Sequence, residues 1–150
     1  MPPRLARMKR LVDLRFLFVV VAVIELVYAS VGLLTPPGMV RSVTGWVLTP
    51  DGQWLAKLMS VSLASQAWIA WVLRKRPHLG VAMALAFYQL ASATVDWVMW
   101  LVLADQHIFA TTAGKIGVIA SIPTHYTLGL LLVLAIRAER SRGDGTVSQL

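Results

Sequence analysis

The sequence predicts an all-α polytopic membrane protein, a bundle of four transmembrane helices with both termini in the cytoplasm. Its composition is the first reason: 57% of the residues are hydrophobic and only 14% are charged, whereas a soluble domain carries about 25% charged residues. The second is the presence of four apolar stretches, each near the roughly 20 residues that cross a bilayer as a helix. They cover residues 16–34, 54–73, 79–103 and 113–136. These stretches must be helical, because an open sheet leaves backbone groups unpaired in lipid.

The third reason is the placement of positive charge, since eleven of the fourteen Lys and Arg residues fall on one side of the four spans. They are Arg4, Arg7, Lys9, Arg10 and Arg15 before the first span, Arg74, Lys75 and Arg76 between the second and third, and Arg137, Arg140 and Arg142 after the fourth. Cytoplasmic loops carry such an excess, so this side is predicted to be cytoplasmic. The net charge of +7 is therefore attributed to topology and anionic lipid, not to nucleic acid.

The chain divides into a basic cytoplasmic lead-in (1–13), a transmembrane domain (14–136) and a polar tail (137–150) that is predicted to be disordered. The first span ends at the breaker Thr35-Pro36-Pro37-Gly38. Apolar residues of the following loop recur at spacings near three and four, which predicts a short helix in the outer interface.

A turn of about five residues joins the second span to the third, so these two helices are predicted to form an antiparallel hairpin. Pro123 is expected to kink the fourth span. Small residues, which permit close helix packing in lipid, run along the second and third spans. They are Ser60, Ala64 and Ala67 on one, and Ala82, Ala86 and Ala93 on the other.

The chain contains no cysteine, which excludes disulfides, thiolate metal sites and redox-active dithiols. It has three histidines, and His78 and His107 are predicted to lie at opposite faces of the membrane. No metal site and no cofactor are therefore expected.

Ionisable side chains inside a membrane are costly and are functional candidates by default. Three residues qualify, namely Glu25, Asp96 and His125, with Gln66 and Gln89 as uncharged companions. At about 1.5 Å per residue, Glu25 lies roughly 14 Å from the cytoplasmic edge of its span. The same arithmetic places His125 and both glutamines near mid-membrane, so a polar layer at the centre of the bundle is predicted. Asp96 lies seven residues beyond Gln89 on the same helical stripe, nearer the outer surface.

Two acids and an imidazole with different proton affinities can transfer protons, as an isomerase, a cyclase or a proton-coupled carrier requires. The predicted catalytic residues are Glu25, Asp96 and His125. The predicted substrate-binding residues, around a pocket for an apolar, lipid-like molecule, are Tyr28, Gln66, Gln89, Trp68, Trp97, Trp100 and Tyr126. Tryptophan faces also stabilise cations.

A purely structural interpretation is also open. Glu25 then pairs with His125 to lock the bundle, and Asp96 bonds to Lys57 or Lys115 near the outer boundary. Indoles such as Trp97 are also typical of the aromatic belt at the membrane surface.

The stretch Val31-Gly32-Leu33-Leu34-Thr35-Pro36 and the ending Trp71-Val72-Leu73-Arg74-Lys75-Arg76-Pro77 of the second span resemble the four-helix DoxX-like family of bacterial membrane proteins. That resemblance covers most of the four-span layout. It implies a fold and a location in the bacterial inner membrane, but no reaction. His125-Tyr126, with Glu25 and Asp96, is also similar to the polar set of the sterol-isomerase and sigma-2-receptor-like superfamily, which implies an internal lipid pocket.

Three functions remain open at this point. The first is an enzyme or binding protein for an apolar molecule, with Glu25 and Asp96 as proton donor and acceptor. The second is a proton-coupled carrier, similar to the small multidrug transporters in its first-helix acid, which at this size requires a homo-oligomer. The third is an accessory subunit of a larger membrane complex.

Overall fold

The computed structural model describes the backbone of residues 13–103 and 111–147, and side chains as far as residue 141. Its five helices are α1 (Leu14–Leu34), α2 (Pro37–Thr44), α3 (Pro50–Leu73), α4 (Leu79–Leu103) and α5 (Thr112–Val147). All but α2 are long and apolar enough to span a membrane. The predicted all-α fold with four candidate spans is confirmed. The basic lead-in before Asp13 and the segment containing His107 lie outside the described residues.

Local chemistry explains where the helices begin. The Asp13 carboxylate accepts from the Arg15 amide at the start of α1, at 2.9 Å. Thr49 does the same at α3 by accepting from the Gly52 amide at 3.1 Å, and Pro50 follows at the first helical position, where its missing N–H is harmless. At the other end of α2, Gly45 adopts φ 80°, the left-handed conformation that glycine tolerates best.

The four long helices pack as two helical hairpins, α1 with α3 and α4 with α5. A smaller contact between α1 and α5 joins the hairpins, and α2 rests on α5. The small residues of α3 and α4 serve these two pairs: Ser60 lies against Gly32 of α1, while Ala82 and Ala86 belong to a core that includes Leu132 of α5. The short turn predicted between α3 and α4 is present. These two helices do not pack mainly against each other as the predicted hairpin would; α3 packs on α1, and α4 packs on α5.

The apolar core occupies the end of the bundle that carries the basic clusters. Its largest fully buried apolar side chains are Phe18, Leu17, Leu132 and Val21. The outward faces carry large exposed apolar side chains, such as Phe87 at 75% and Trp68 at 69% exposure. Such surfaces suit a lipid environment, where apolar contact replaces water.

The last helix extends beyond the predicted fourth span: α5 continues to Val147, and its candidate membrane span covers Thr112–Ser141. The Arg140 guanidinium reaches Met83 Sδ on α4 at 3.0 Å, which holds this part of α5 against its neighbour. Pro123 lies inside the helix. The adjacent Thr124 hydroxyl donates to the Ala120 carbonyl at 2.7 Å, adding a bond where proline supplies no N–H.

The carboxyl end of α1 is capped by a lysine from α3. The Lys57 ammonium donates to the carbonyls of Gly32 at 2.8 Å and Leu33 at 2.7 Å, with Thr35 further away at 3.4 Å. The last carbonyls of a helix have no partner within it and carry partial negative charge. Lys57 therefore fixes the end of α1 to α3.

Candidate functional site

A chain of hydrogen bonds crosses the centre of the bundle and links three helices. The Gln89 amide nitrogen donates to Glu25 Oε1 at 2.6 Å, and Gln89 Oε1 lies 2.5 Å from His125 Nδ1. Glu25 and Gln89 are completely buried, and His125 is 8% exposed. We call these three residues the acid–amide–imidazole chain. Gln89 thus stands between the two groups that were expected to pair directly.

Two tyrosine rings enclose the imidazole end of this chain. Tyr28 of α1 stacks on His125, with ring centroids 6.3 Å apart and an angle of 24° between the planes. Tyr88 of α4 approaches it edge-on at 6.4 Å and 86°. The imidazole is therefore oriented by rings on two sides and by Gln89 at Nδ1.

The acid end of the chain is incomplete. Glu25 Oε2 is buried and has no hydrogen-bond partner. Leaving such an atom unsatisfied costs roughly 1–3 kcal/mol, and more for a charged group. A proton on the carboxyl group lowers the cost of burying it, because a neutral carboxyl group is far cheaper to bury than a carboxylate.

Asp96 belongs to a second polar pair, separate from this chain. Its Oδ2 lies 2.7 Å from the Ser121 hydroxyl, which also lies 2.8 Å from the Val118 carbonyl. The expected bond to Lys57 is replaced by the cap on α1. Asp96 hydrogen-bonds across the α4–α5 interface, whereas Glu25 bonds from α1 to α4.

A groove between α3 and α4 lies beside the chain and has a volume of about 480 Å³. Its lining is apolar apart from a few groups, notably Gln66, Tyr88 and His78. Tyr88 is shared, because it lines the groove and also contacts His125. Gln66, predicted to join the central polar layer, lies in this groove and is partly exposed.

A second groove, of about 450 Å³, lies between α1 and α3. Trp68 and Trp71 line it together with Ala22, Leu26 and other apolar residues. Trp68 therefore faces a different groove from Gln66, and the two predicted binding residues do not share one site.

The remaining predicted binding residues lie around α4 and α5. The Tyr126 hydroxyl is 3.2 Å from Thr94 Oγ1, which ties α5 to α4. Trp97 is 50% exposed, and Trp100 is partly buried. Tyr88 was not among the predicted residues, although its spacing of four residues from Ser92 places it on the polar side of α4.

The fold and this site define an all-α integral membrane protein with a buried acid–amide–imidazole chain. Among the described residues, no three His, Asp or Glu side chains come together as a metal site. Comparisons with protein-family models, curated proteins and solved structures find no match.

Proposed function

We propose that this protein binds an apolar, lipid-like molecule in the α3–α4 groove and performs acid–base chemistry on its polar end. The observation that carries the proposal is the buried chain from Glu25 to His125, whose imidazole contacts a tyrosine of the groove. A volume of about 480 Å³ is within the range of small-molecule sites. Gln66 and Tyr88 supply polar atoms in an otherwise apolar lining, which suits a ligand with one hydrogen-bonding group.

Within this proposal, His125 exchanges the proton with the ligand. It is the least buried member of the chain, whereas Glu25 is enclosed and acts through Gln89. Asp96, which bonds to Ser121, stays a candidate for a second proton-transfer step. The orientation proposed for the protein is N-in and C-in, in a bacterial inner membrane, because the basic residues gather at one end of the bundle.

Binding is tested with a photoreactive isoprenoid alcohol and with the matching hydrocarbon that lacks the hydroxyl, both applied to protein in lipid nanodiscs. The alcohol is expected to label residues of the α3–α4 groove several-fold more than the hydrocarbon does. Gln66→Leu and Tyr88→Phe are expected to reduce that labelling. The control is Trp68→Leu, because Trp68 lines the α1–α3 groove and is not part of the α3–α4 groove. Equal labelling by both probes, unchanged by the variants, would contradict binding in the groove.

The chemistry is tested with a long-chain β,γ-unsaturated ketone. Its double bond moves into conjugation when one proton leaves the carbon next to the carbonyl and another is added at the far alkene carbon, so atoms balance without an oxidant. Conjugation raises ultraviolet absorbance, and in D₂O one deuterium enters the product. The wild type is expected to accelerate this shift over empty nanodiscs, and Glu25→Gln and His125→Gln are expected to lose at least tenfold. A rate equal to that of empty nanodiscs would argue against acid–base catalysis on such ketones.

A further inference from the structure

Because the Gln89 amide bridges Glu25 and His125, its orientation determines which atoms of these two residues carry hydrogens. In the observed arrangement, the Gln89 NH₂ group donates to Glu25 Oε1, so that oxygen acts as an acceptor. The Gln89 carbonyl faces His125 Nδ1 at 2.5 Å, and an oxygen without hydrogens requires a donor there. This arrangement therefore requires the ring hydrogen on Nδ1, which leaves the Nε2 lone pair available as a base.

A second arrangement fits the same positions. The oxygen and nitrogen of a primary amide occupy nearly equivalent places, so a half-turn of the Gln89 amide exchanges them without moving the helices. A protonated Glu25 then donates to the amide oxygen, and the NH₂ group donates to Nδ1. The ring hydrogen must now be on Nε2. The two arrangements differ by one proton on Glu25 and by the nitrogen that carries the ring hydrogen.

We propose that Gln89 is a positioning residue that couples the protonation of Glu25 to the tautomer of His125. Most mixed arrangements are disfavoured because they place two donors or two acceptors face to face inside an apolar bundle, where unmade hydrogen bonds are expensive. The remaining one, with the proton on Glu25 Oε2 and the Gln89 amide unturned, is disfavoured because it leaves a buried O–H group without an acceptor. When Glu25 is ionised, His125 Nε2 is an acceptor; when Glu25 is protonated, Nε2 is a donor. This inference rests on the proposed function in one respect: the proposed function supplies the ligand with which His125 Nε2 would exchange a proton.

Other titratable groups face this chain and belong in the same scheme. Tyr28 approaches His125 from α1, and Tyr88 approaches from α4. Asp96 lies about two helical turns beyond Gln89 on α4. The titratable residues of α3 are Asp51 and Lys57, near its beginning, and Lys57 is engaged at the end of α1. Of the acids named here, Glu25 is the one that hydrogen-bonds to His125 through the Gln89 amide.

The test is a pH titration of the ligand-free protein in nanodiscs with two signals. Infrared absorption of the protonated carboxyl group, assigned with Glu25→Asp, reports the proton on Glu25. The ¹⁵N shifts of labelled histidine, assigned by loss of a signal in His125→Gln, report the tautomer. On lowering the pH, we expect the carboxyl band to appear and His125 to change from Nδ1–H to Nε2–H with one shared midpoint.

The decisive variant is Gln89→Met, which keeps the side-chain length and removes the amide. It is expected to abolish the shared midpoint. The control is Gln53→Met, which removes a glutamine amide that bonds to the Leu48 carbonyl near the start of α3, and it is expected to leave the shared midpoint intact. If Gln89→Met does not fold, the wild-type titration still decides the matter. Separate midpoints in the wild type, one fixed tautomer across the titration, or unchanged coupling in folded Gln89→Met would overturn the proposal. Because no ligand is present, these outcomes are independent of whether the groove binds the isoprenoid alcohol.

Discussion

At the scale of single residues, a close contact between α1 and α3 depends on the absence of a side chain at Gly32. A Cβ atom added to Gly32 would lie 2.0 Å from Ser60 Oγ and 3.2 Å from Ser60 Cβ. The serine hydroxyl is held by a bond to the Ala56 carbonyl at 2.7 Å, so turning it away sacrifices that bond. Gly32 therefore sets how closely the two helices of the first hairpin approach.

Gly32→Ala is expected to destabilise the protein by about 1–3 kcal/mol, the usual cost of overpacking. The measurement is the melting temperature in a mild detergent. Gly117→Ala is the matched control, because a Cβ atom there meets nothing within 4 Å. The double variant Gly32→Ala with Ser60→Ala should recover much of the loss; a melting temperature as low as that of Gly32→Ala alone would contradict this contact as the cause.

For single residues, the sequence predicts depth in the membrane but not the direction in which a side chain points. Glu25, Gln89 and His125 were predictable as one layer, because helical rise converts sequence position into membrane depth. Depth does not specify which way a side chain turns around its helix. Gln66 consequently shares the depth but faces the α3–α4 groove, and the cap formed by Lys57 on α1 had no local signal in the sequence.

At the scale of elements, Thr111 connects the short helix α2 to the first turn of α5, at the end of the bundle predicted to face outward. Its hydroxyl donates to the Val43 carbonyl of α2 at 2.8 Å and accepts from the Gly114 amide at 3.0 Å. One side chain thus caps the beginning of α5 and attaches α2 to it. Gly114 packs closely at the same place, where an added Cβ atom would lie 2.9 Å from the Thr44 carbonyl oxygen.

Thr111→Val is expected to lose both bonds and to destabilise the start of α5 by about 0.5–2 kcal/mol, as for other N-cap losses. Hydrogen exchange measured by mass spectrometry should show faster exchange in peptides covering α2 and the first turn of α5. Thr111→Ser keeps the hydroxyl and should behave as the wild type does. Thr112→Val, at the exposed neighbouring residue, is a second control. Similar hydrogen exchange in Thr111→Val and Thr112→Val would argue against the cap.

At the scale of the whole molecule, the distribution of charge predicts an orientation. The turn between α3 and α4 and the last turns of α5 lie at the basic end, whereas α2 lies at the opposite end. The natural chain has no cysteine, so introduced cysteines report their own location without background. Gly38 and Lys75 are exposed positions at the two ends.

With a maleimide that cannot cross membranes, Gly38→Cys is expected to react in intact spheroplasts. Lys75→Cys is expected to react only after the membrane is permeabilised, because its loop is proposed to be cytoplasmic. The unmodified protein should not react in either case. The reverse labelling pattern would show that the orientation is inverted.

The number of spans was predictable at this scale because twenty-residue apolar stretches have few alternatives in a bilayer. Which spans pack against each other was harder to predict from the sequence. Lipid is as apolar as a helix face, so hydropathy does not distinguish a surface that meets another helix from one that meets lipid. The small residues of α3 and α4 were recognisable as packing surfaces, but their partners, α1 and α5, became evident only in the structure.

The two-hairpin architecture has a consequence for biosynthesis. Ribosomes deliver α1 and α3 before α4, so Glu25 enters the membrane well ahead of Gln89, its hydrogen-bond partner. A nascent chain halted at the turn after α3 would hold an acid in hydrocarbon with no amide to receive it. We therefore expect the first half alone to insert poorly or to be degraded, and co-expression of the second half as a separate polypeptide to rescue it.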